Sequence, residues 1–352
     1  MLRIGIIGSG NIVRTRHLAA MRSLRKRVSV VGISDTHLDR AKAVAERNSI
    51  PRFSANTKDS IEDVPWLHDA DALLIATPPF SHGAFVTQAL NLGKHVLVEK
   101  PFVLDLPEGR RAIALADERK LILAVNHNFQ FSRGFRRLQA DLASKRLGTV
   151  RGIYSFQFSN DTRRLPLWSE DLPLGLFYDE SPHVFYLLRR FAGDDIAIDS
   201  VYCVPPTNAA KATPHILNIE LTCSGVPASI HIDFESPICE WFFAVLGDRG
   251  IGYVDLFRDI YSYLPNDGQH LMREVLTTSA LATLQHWGGF VRNGWSYVNH
   301  SLLYGFETVY KNFCDAIESG DARLVAAHSA PIGLAVNELQ LATVERTAGV
   351  RT

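Results

Sequence analysis

At 352 residues and 39.2 kDa the chain is long enough for about two domains of ~150 residues each. Its 46% hydrophobic and 21% charged residues are ordinary globular usage, which excludes a disordered or fibrous protein. Lys+Arg and Asp+Glu both number 37, so the formal net charge is zero and the cationic excess that nucleic-acid binding needs is missing.

The opening MLRIGIIGSG has no basic stretch leading into a long apolar one, and no run reaches the ~20 apolar residues of a membrane span. A soluble, cytoplasmic protein with neither membrane nor nucleic-acid partners is expected. Short apolar strands are predicted at 4–7, 28–34, 72–75, 95–98 and 121–125, with helices over 11–24, 38–48, 82–92 and 106–119 between them. Such alternation specifies a parallel sheet covered on both faces, a doubly wound α/β domain. Beyond about residue 125 the rhythm changes. A helix over 135–147, ending at Gly148, precedes period-2 runs at 151–158, 215–222, 228–235 and 241–246, which fit an antiparallel or mixed sheet with one exposed face. The aromatic, histidine-rich stretch within 270–300 fits neither pattern. It reads as an insertion with some helix: a lid, an oligomer contact or simple domain packing. Helices over 302–319 and 330–349 close the chain. The expected domains are 1–124 and 125–352.

The four cysteines, Cys203, Cys223, Cys239 and Cys314, form no CxxC pair and no metal spacing, so buried, reduced thiols and no metal are expected.

IGIIGSGNI places Gly8 and Gly10 at a strand-to-helix turn, with Asn11 and Ile12 opening the helix. Gly8 suits the tight turn and Gly10 the close approach of a pyrophosphate to the helix N-terminus; Val13 replaces the third glycine of GxGxxG. Asp35, at the tip of the second strand, can accept hydrogen bonds from an adenosine ribose and would repel a 2′-phosphate, which favours NAD over NADP. A glycine turn without a ligand, and a plain turn aspartate, are the competing readings. Further strands end in Ala76-Thr77-Pro78-Pro79 and Glu99-Lys100-Pro101, at the sheet edge where open α/β folds bind ligands. Taken alone, Lys100 reads as a surface charge.

GIIGSGNI, ATPPFSH (76–82), EKP (99–101) and DESPH (179–183) occur in the order seen in the Gfo/Idh/MocA oxidoreductases, and the chain resembles that family over essentially its whole length. The resemblance implies an N-terminal Rossmann domain, a C-terminal α/β domain with a large, mostly antiparallel open sheet, and NAD(P)-dependent oxidation or reduction of sugars and polyols. It implies a homo-oligomer, dimer or tetramer, through that sheet. By position Lys100, Asp179 and His183 match the usual catalytic residues; Thr77, Pro78, His82, Glu99 and Lys100 join the glycine turn in holding NAD. Asn126 and Asn128, after the sixth strand, and Trp168 are expected near substrate with Lys100, Asp179 and His183, while Arg163 and Arg164 read as solvated loop residues.

Ser181 is expected to cap a helix with Pro182 at its first position, which puts His183 in a first turn whose dipole disfavours imidazolium. A capping histidine beside a solvated aspartate is the bland alternative. The expected enzyme oxidises a secondary alcohol or reduces the ketone; an NAD-dependent glycoside hydrolase using transient oxidation and a non-catalytic nucleotide sensor are the alternatives.

Overall fold

A computed structural model describes residues 1–160, 162–163, 165–299 and 301–348. The chain packs into two compact units. One comprises residues 1–128 and 305–338, the other 129–304 and the chain from Leu339 onward. A single division at 124/125 does not describe this, because a C-terminal stretch returns to the first unit.

In the first unit six parallel strands, β1 (Leu2–Ile7), β2 (Val28–Asp35), β3 (Phe53–Ala55), β4 (Ala72–Ile75), β5 (His95–Val98) and β6 (Leu123–Val125), lie in the order β3-β2-β1-β4-β5-β6. This is the doubly wound nucleotide-binding order. The central strands are almost wholly apolar because both faces are covered: Ile4, Ile6, Ile7 and all of β4 are buried. On one face the Trp66 ring lies where Cβ atoms on Gly5 and Gly32 would stand, and its indole N–H donates to Ser54 Oγ at 3.1 Å. The crossovers are a helix starting at Asn11 that ends in α1 (Leu18–Ser23), then α2 (Leu38–Asn48), α3 (His82–Asn91) and α4 (Leu106–Glu118). Asp105 caps α4 by accepting from the Glu108 amide at 3.0 Å, with Pro107 in the first turn, where no donor is missed.

The returning stretch explains itself by its contacts. In α9 (Phe306–Ser319), Phe306, Val309, Tyr310, Phe313 and Cys314 are buried, and Arg27 pairs with Asp315 at 2.8 Å and Glu318 at 2.6 Å. From α10 (Ala330–Ala348), Ala330 and Leu334 enter the core beside Phe102 and Val125.

The second unit holds seven strands: β7 (Val150–Phe158), β8 (Ile196–Val204), β9 (Ile216–Cys223), β10 (Val226–Asp233), β11 (Glu240–Gly247), β12 (Gly250–Asp255) and β13 (Ile260–Pro265). They run in the order β13-β12-β11-β7-β10-β9-β8, antiparallel except for β7 with β10. The inner face packs on α5 (Arg133–Ala143) and α7 (Pro182–Ala192) through the rings of Phe135, Phe191 and Phe243, about 5.6 Å apart. The other face leaves Phe156 and Tyr202 exposed.

Four sequence expectations are corrected here. Strands β8, β12 and β13 escape the period-2 pattern: β8 carries a register shift between Ile198 and Ser200, and β12 is interrupted by Gly252. The helix expected over 135–147 stops at Ala143, before Gly148. The 270–300 stretch is one 27-residue helix, α8 (Met272–Val298). Cys239 is exposed and accepts the Asn160 amide, Cys203 is half-buried, and only Cys223 and Cys314 are buried, with thiols pushed up to about 11 by desolvation. Among the described residues no helix is long and apolar enough to cross a membrane.

Candidate functional site

Parallel strands end together, so the residues that follow β1, β2, β4, β5 and β6 share the carboxyl edge of the first sheet. Gly8 has φ +99°, and a Cβ there would lie 2.3 Å from the Ala76 carbonyl oxygen, so the turn is open to glycine alone. Gly10 is the opposite case. A Cβ on it would meet nothing within 4 Å, so this chain itself does not require glycine there; a ligand lying against the helix start would. Ile12, in the first turn, is exposed, and a π-helical turn follows over Val13–His17.

Asp35 is buried and already employed. One carboxylate oxygen accepts from Ser9 N at 2.9 Å and Ser9 Oγ at 2.6 Å, and the other from His37 N at 3.0 Å. Burial pushes this carboxyl up, but the Ser9 and His37 hydrogen bonds and the Arg40 charge outweigh it and hold it below its ordinary value. It fixes the glycine turn from below and keeps acceptor capacity on Oδ1 for a ribose hydroxyl. Arg40, one helical turn on, reaches within 3.6 Å of Oδ1 and partly cancels the repulsion expected to exclude a 2′-phosphate.

After β4, Thr77 Oγ1 and Ser81 Oγ lie 2.7 Å apart. His82 is fully buried, with Nδ1 2.7 Å from the Pro101 carbonyl and Nε2 2.9 Å from the Thr77 carbonyl. One imidazole thus bridges the Thr77-Pro78 loop to the Glu99-Lys100-Pro101 loop. Burial lowers its pKa, against the two carbonyls and the Glu99 charge, which favour the protonated ring.

Glu99 is the centre of a buried chain. Its Oε1 is 2.7 Å from His17 Nε2 and accepts from Asn126 Nδ2 at 2.6 Å; His17 Nδ1 lies 2.8 Å from the Tyr310 hydroxyl, with Phe306 edge-on at 4.9 Å. Burial pushes the Glu99 carboxyl up, but His17, the neighbouring Lys100 charge and Asn126 hold it below its usual range. Its other oxygen accepts the Lys100 amide at 3.2 Å, and the Lys100–Pro101 peptide is cis. Glu99 therefore anchors the backbone at Lys100. His17 and Tyr310 were not singled out in the sequence: His17 lies inside a helix and Tyr310 is 210 residues beyond Lys100. Asn126 Oδ1 is buried with no partner among the described residues, and Asn128 is buried beside it in sequence.

A cavity of about 510 Å³ opens at the other, amino-terminal edge of this sheet. Its cations are committed, Arg3 to Asp71 at 2.5 Å and Lys94 to the carbonyls of His68 and Ala70.

In the second unit Asp179 lies in α6 (Leu176–Glu180) and His183 in the first turn of α7. Ser181 does not cap. Its φ and ψ of −62° and −24° are helical, because α6 runs into α7 with no free end to close, and its hydroxyl accepts from Gln340 Nε2 at 3.0 Å. The dipole reading of His183 loses its basis with that cap. A different device holds the ring: Nδ1 lies 2.8 Å from the Tyr186 hydroxyl, which also accepts the Phe129 amide at 3.1 Å. Phe129, Tyr186 and Trp241 stand edge-on or tilted around the imidazole with centroids 5.0–5.7 Å away. Tyr186 is three residues on from His183, on the same helix face, a signal readable in the sequence. Trp241 comes from β11, and nothing local announces it.

Arg163 pairs with Glu180 at 2.9 Å rather than standing free in solvent, Trp168 is half-buried in a 3-10 turn over Leu167–Asp171, and Arg164 lies outside the described residues. No group of three or more His, Cys, Asp or Glu able to hold a metal occurs among the described residues.

Residues 2–127 match the sequence model of a family described as oxidoreductase family, NAD-binding Rossmann fold. The chain is 27% identical over 255 residues to 1,5-anhydro-D-fructose reductase of Ensifer adhaerens, covering 71% of this chain and 74% of that protein. It is 26% identical over 284 residues to inositol 2-dehydrogenase of Serratia proteamaculans, covering 78% and 80%. Among solved structures, an oxidoreductase of Thermotoga maritima superposes with a TM-score of 0.76 at 16% identity over 98% of this chain and 96% of that one. The WlbA dehydrogenase of Bordetella pertussis, solved with NADH and UDP-GlcNAcA, gives 0.72 at 19% over 100% and 97%. At these identities the structural likeness is one of fold.

Proposed function

Through residues 2–127 the chain belongs to the Gfo/Idh/MocA oxidoreductase family, and from that premise we propose an NAD-dependent dehydrogenase or ketoreductase acting on a secondary hydroxyl or keto group of a sugar, sugar derivative or cyclic polyol. The observation that carries this reading is the buried chain Tyr310–His17–Glu99–Asn126, which fixes the backbone under Lys100 at the carboxyl edge of a nucleotide-binding sheet. A surface lysine needs no such foundation. The names of the two relatives support the substrate class.

NAD, when bound, supplies the hydride acceptor. Gly8, Gly10, Asn11 and Ile12 hold its pyrophosphate at the helix start, and Asp35 takes the adenosine ribose. Thr77, Pro78 and His82 shape the loop beside it. Lys100 holds the reacting oxygen and stabilises developing alkoxide charge. His183 takes the hydroxyl proton on Nε2, which requires the tautomer that donates from Nδ1 to Tyr186. Asp179 orients that ring or shares the substrate hydroxyl, and Asn126, Asn128 and Trp168 contact substrate. Cytoplasmic residence and a homo-oligomer through the open sheet face are part of the proposal.

NADH formation across inositols, aldoses and sugar nucleotides tests it, with the wild type beside Lys100→Met. A substrate turned over by the wild type and about 10²–10³-fold slower in the variant is expected. Equal turnover by the two proteins removes Lys100 from the mechanism.

A further inference from the structure

Helix α8 is polar where it docks and apolar where it faces water. Its docked positions run Glu274, Thr278, Ala282, Gln285, Gly289, Asn293 and Ser296; Asn293 and Ser296 are its buried side chains, 6% and 9% exposed. Gln285 pairs like a strand residue with the free edge of β13, accepting the Tyr263 amide at 2.9 Å and donating to its carbonyl at 2.9 Å. Asn293 donates to the carbonyls of Arg258 and Asp259, and Gly289 lies against Ile260. The helix thereby closes an edge that would otherwise invite another strand.

Two residues beyond each docked position stands the outward stripe: Leu276, Ala280, Leu284, Trp287, Val291, Trp295 and Val298. Its large members are 59–75% exposed. The steps of four, four and three residues repeat every eleven, close to the 3.6-residue turn, so the stripe runs straight along ~40 Å of helix. With Met272, Phe290 and Tyr297 beside it, and aromatic side chains worth about 150–250 Å² each, it presents on the order of 1,000 Å² of apolar surface. A monomer rarely exposes more than about 300–600 Å² in one patch, and a stable interface takes ~800 Å² from each partner.

We propose that this stripe is the contact with a second copy of the chain, the two α8 helices packing antiparallel across a two-fold axis near Trp287. Reversing the stripe about Trp287 brings Leu284 near Val291 of the second copy, Leu276 near Val298, and the small Ala280 near the large Trp295, so bulk meets space. Gly288, beside the axis, has nothing within 4 Å of where a Cβ would stand and leaves room for the opposing ring. Only Arg273, Glu274 and Arg292 are charged along the helix, so self-pairing meets little like-charge repulsion. A membrane surface is the poorer occupant: an interfacial helix carries Lys and Arg on a free polar face, whereas this polar face is spent on β13.

The test is the mass of the full-length protein in solution by sedimentation, for the wild type, Leu284→Glu and Val291→Glu. Both substituted residues are exposed within one chain, so each variant should stay folded, with the wild-type circular dichroism. The expected result is a wild-type mass of two or more 39.2 kDa chains, halved in each variant. A monomeric wild type, or variants that keep the full mass because assembly uses the open sheet face alone, overturns it. Trp287→Cys in a Cys239→Ser background should also oxidise to a covalent dimer; failure to do so while the wild type is dimeric overturns the antiparallel register. A monomeric wild type that floats with neutral lipid vesicles assigns the stripe to a membrane instead.

Discussion

Gly8 and Gly10 show how one motif contains two different constraints. Gly8 answers to the chain itself, through its positive φ and the Ala76 carbonyl, while Gly10 answers to nothing within 4 Å. Gly10→Val should therefore melt with the wild type yet lose NAD affinity, by roughly 10²-fold or more if the pyrophosphate lies there; titration of the two proteins with NAD reads this directly. Unchanged affinity contradicts the placement. Glu99 makes a second residue-scale claim. Removing His17 takes away one hydrogen bond to a buried carboxylate and leaves Asn126 and the Lys100 amide to hold it, at a cost of about 1.5–3 kcal/mol. His17→Ala should lower the unfolding free energy by that order and slow turnover as well, since the backbone under Lys100 loses its anchor. A variant as stable and as active as the wild type removes the buried chain from the account.

At the scale of elements, much was legible because covalent periodicity carried it. The strands of the first unit are short, apolar and β-branched, so the positions of five of them and the doubly wound parallel class could be read, as could α2 to the residue. What escaped depends on partners far along the chain. Strand β3 is three residues with an exposed Phe53, the register shift hides β8, and α8 reads as irregular because its apolar face is the one turned outward. The candidate site divides the same way. The motifs located Lys100, Asp179 and His183, but Tyr310 beneath His17 and Trp241 beside His183 arrive through tertiary packing. Ser181 failed as a cap for a related reason: a good local signal was overridden when α6 continued the helix backward.

For the whole molecule, neutrality at pH 7 conceals a dependence on pH. His82 and His328 are fully buried, and desolvation lowers both imidazoles, His328 to about 4 from an ordinary 6.5. The unfolded chain then binds protons that the folded chain refuses. Their contribution to stability is whole above about pH 6.5 and is lost as the pH falls toward 4, on the order of 3 kcal/mol for His328. Denaturant unfolding between pH 7.5 and 4.5 should show that fall, and His328→Gln should flatten it; a stability independent of pH over this range contradicts the neutral buried state.

In the proposed reaction hydride passes directly between a carbinol carbon and NAD. The most direct measurement takes a turned-over sugar or polyol carrying deuterium on that carbon and weighs the cofactor after one turnover. The expected product is reduced nicotinamide one mass unit heavier, formed more slowly than with the protiated compound. Deuterium appearing in water, or product released while the cofactor keeps its oxidised mass, contradicts it.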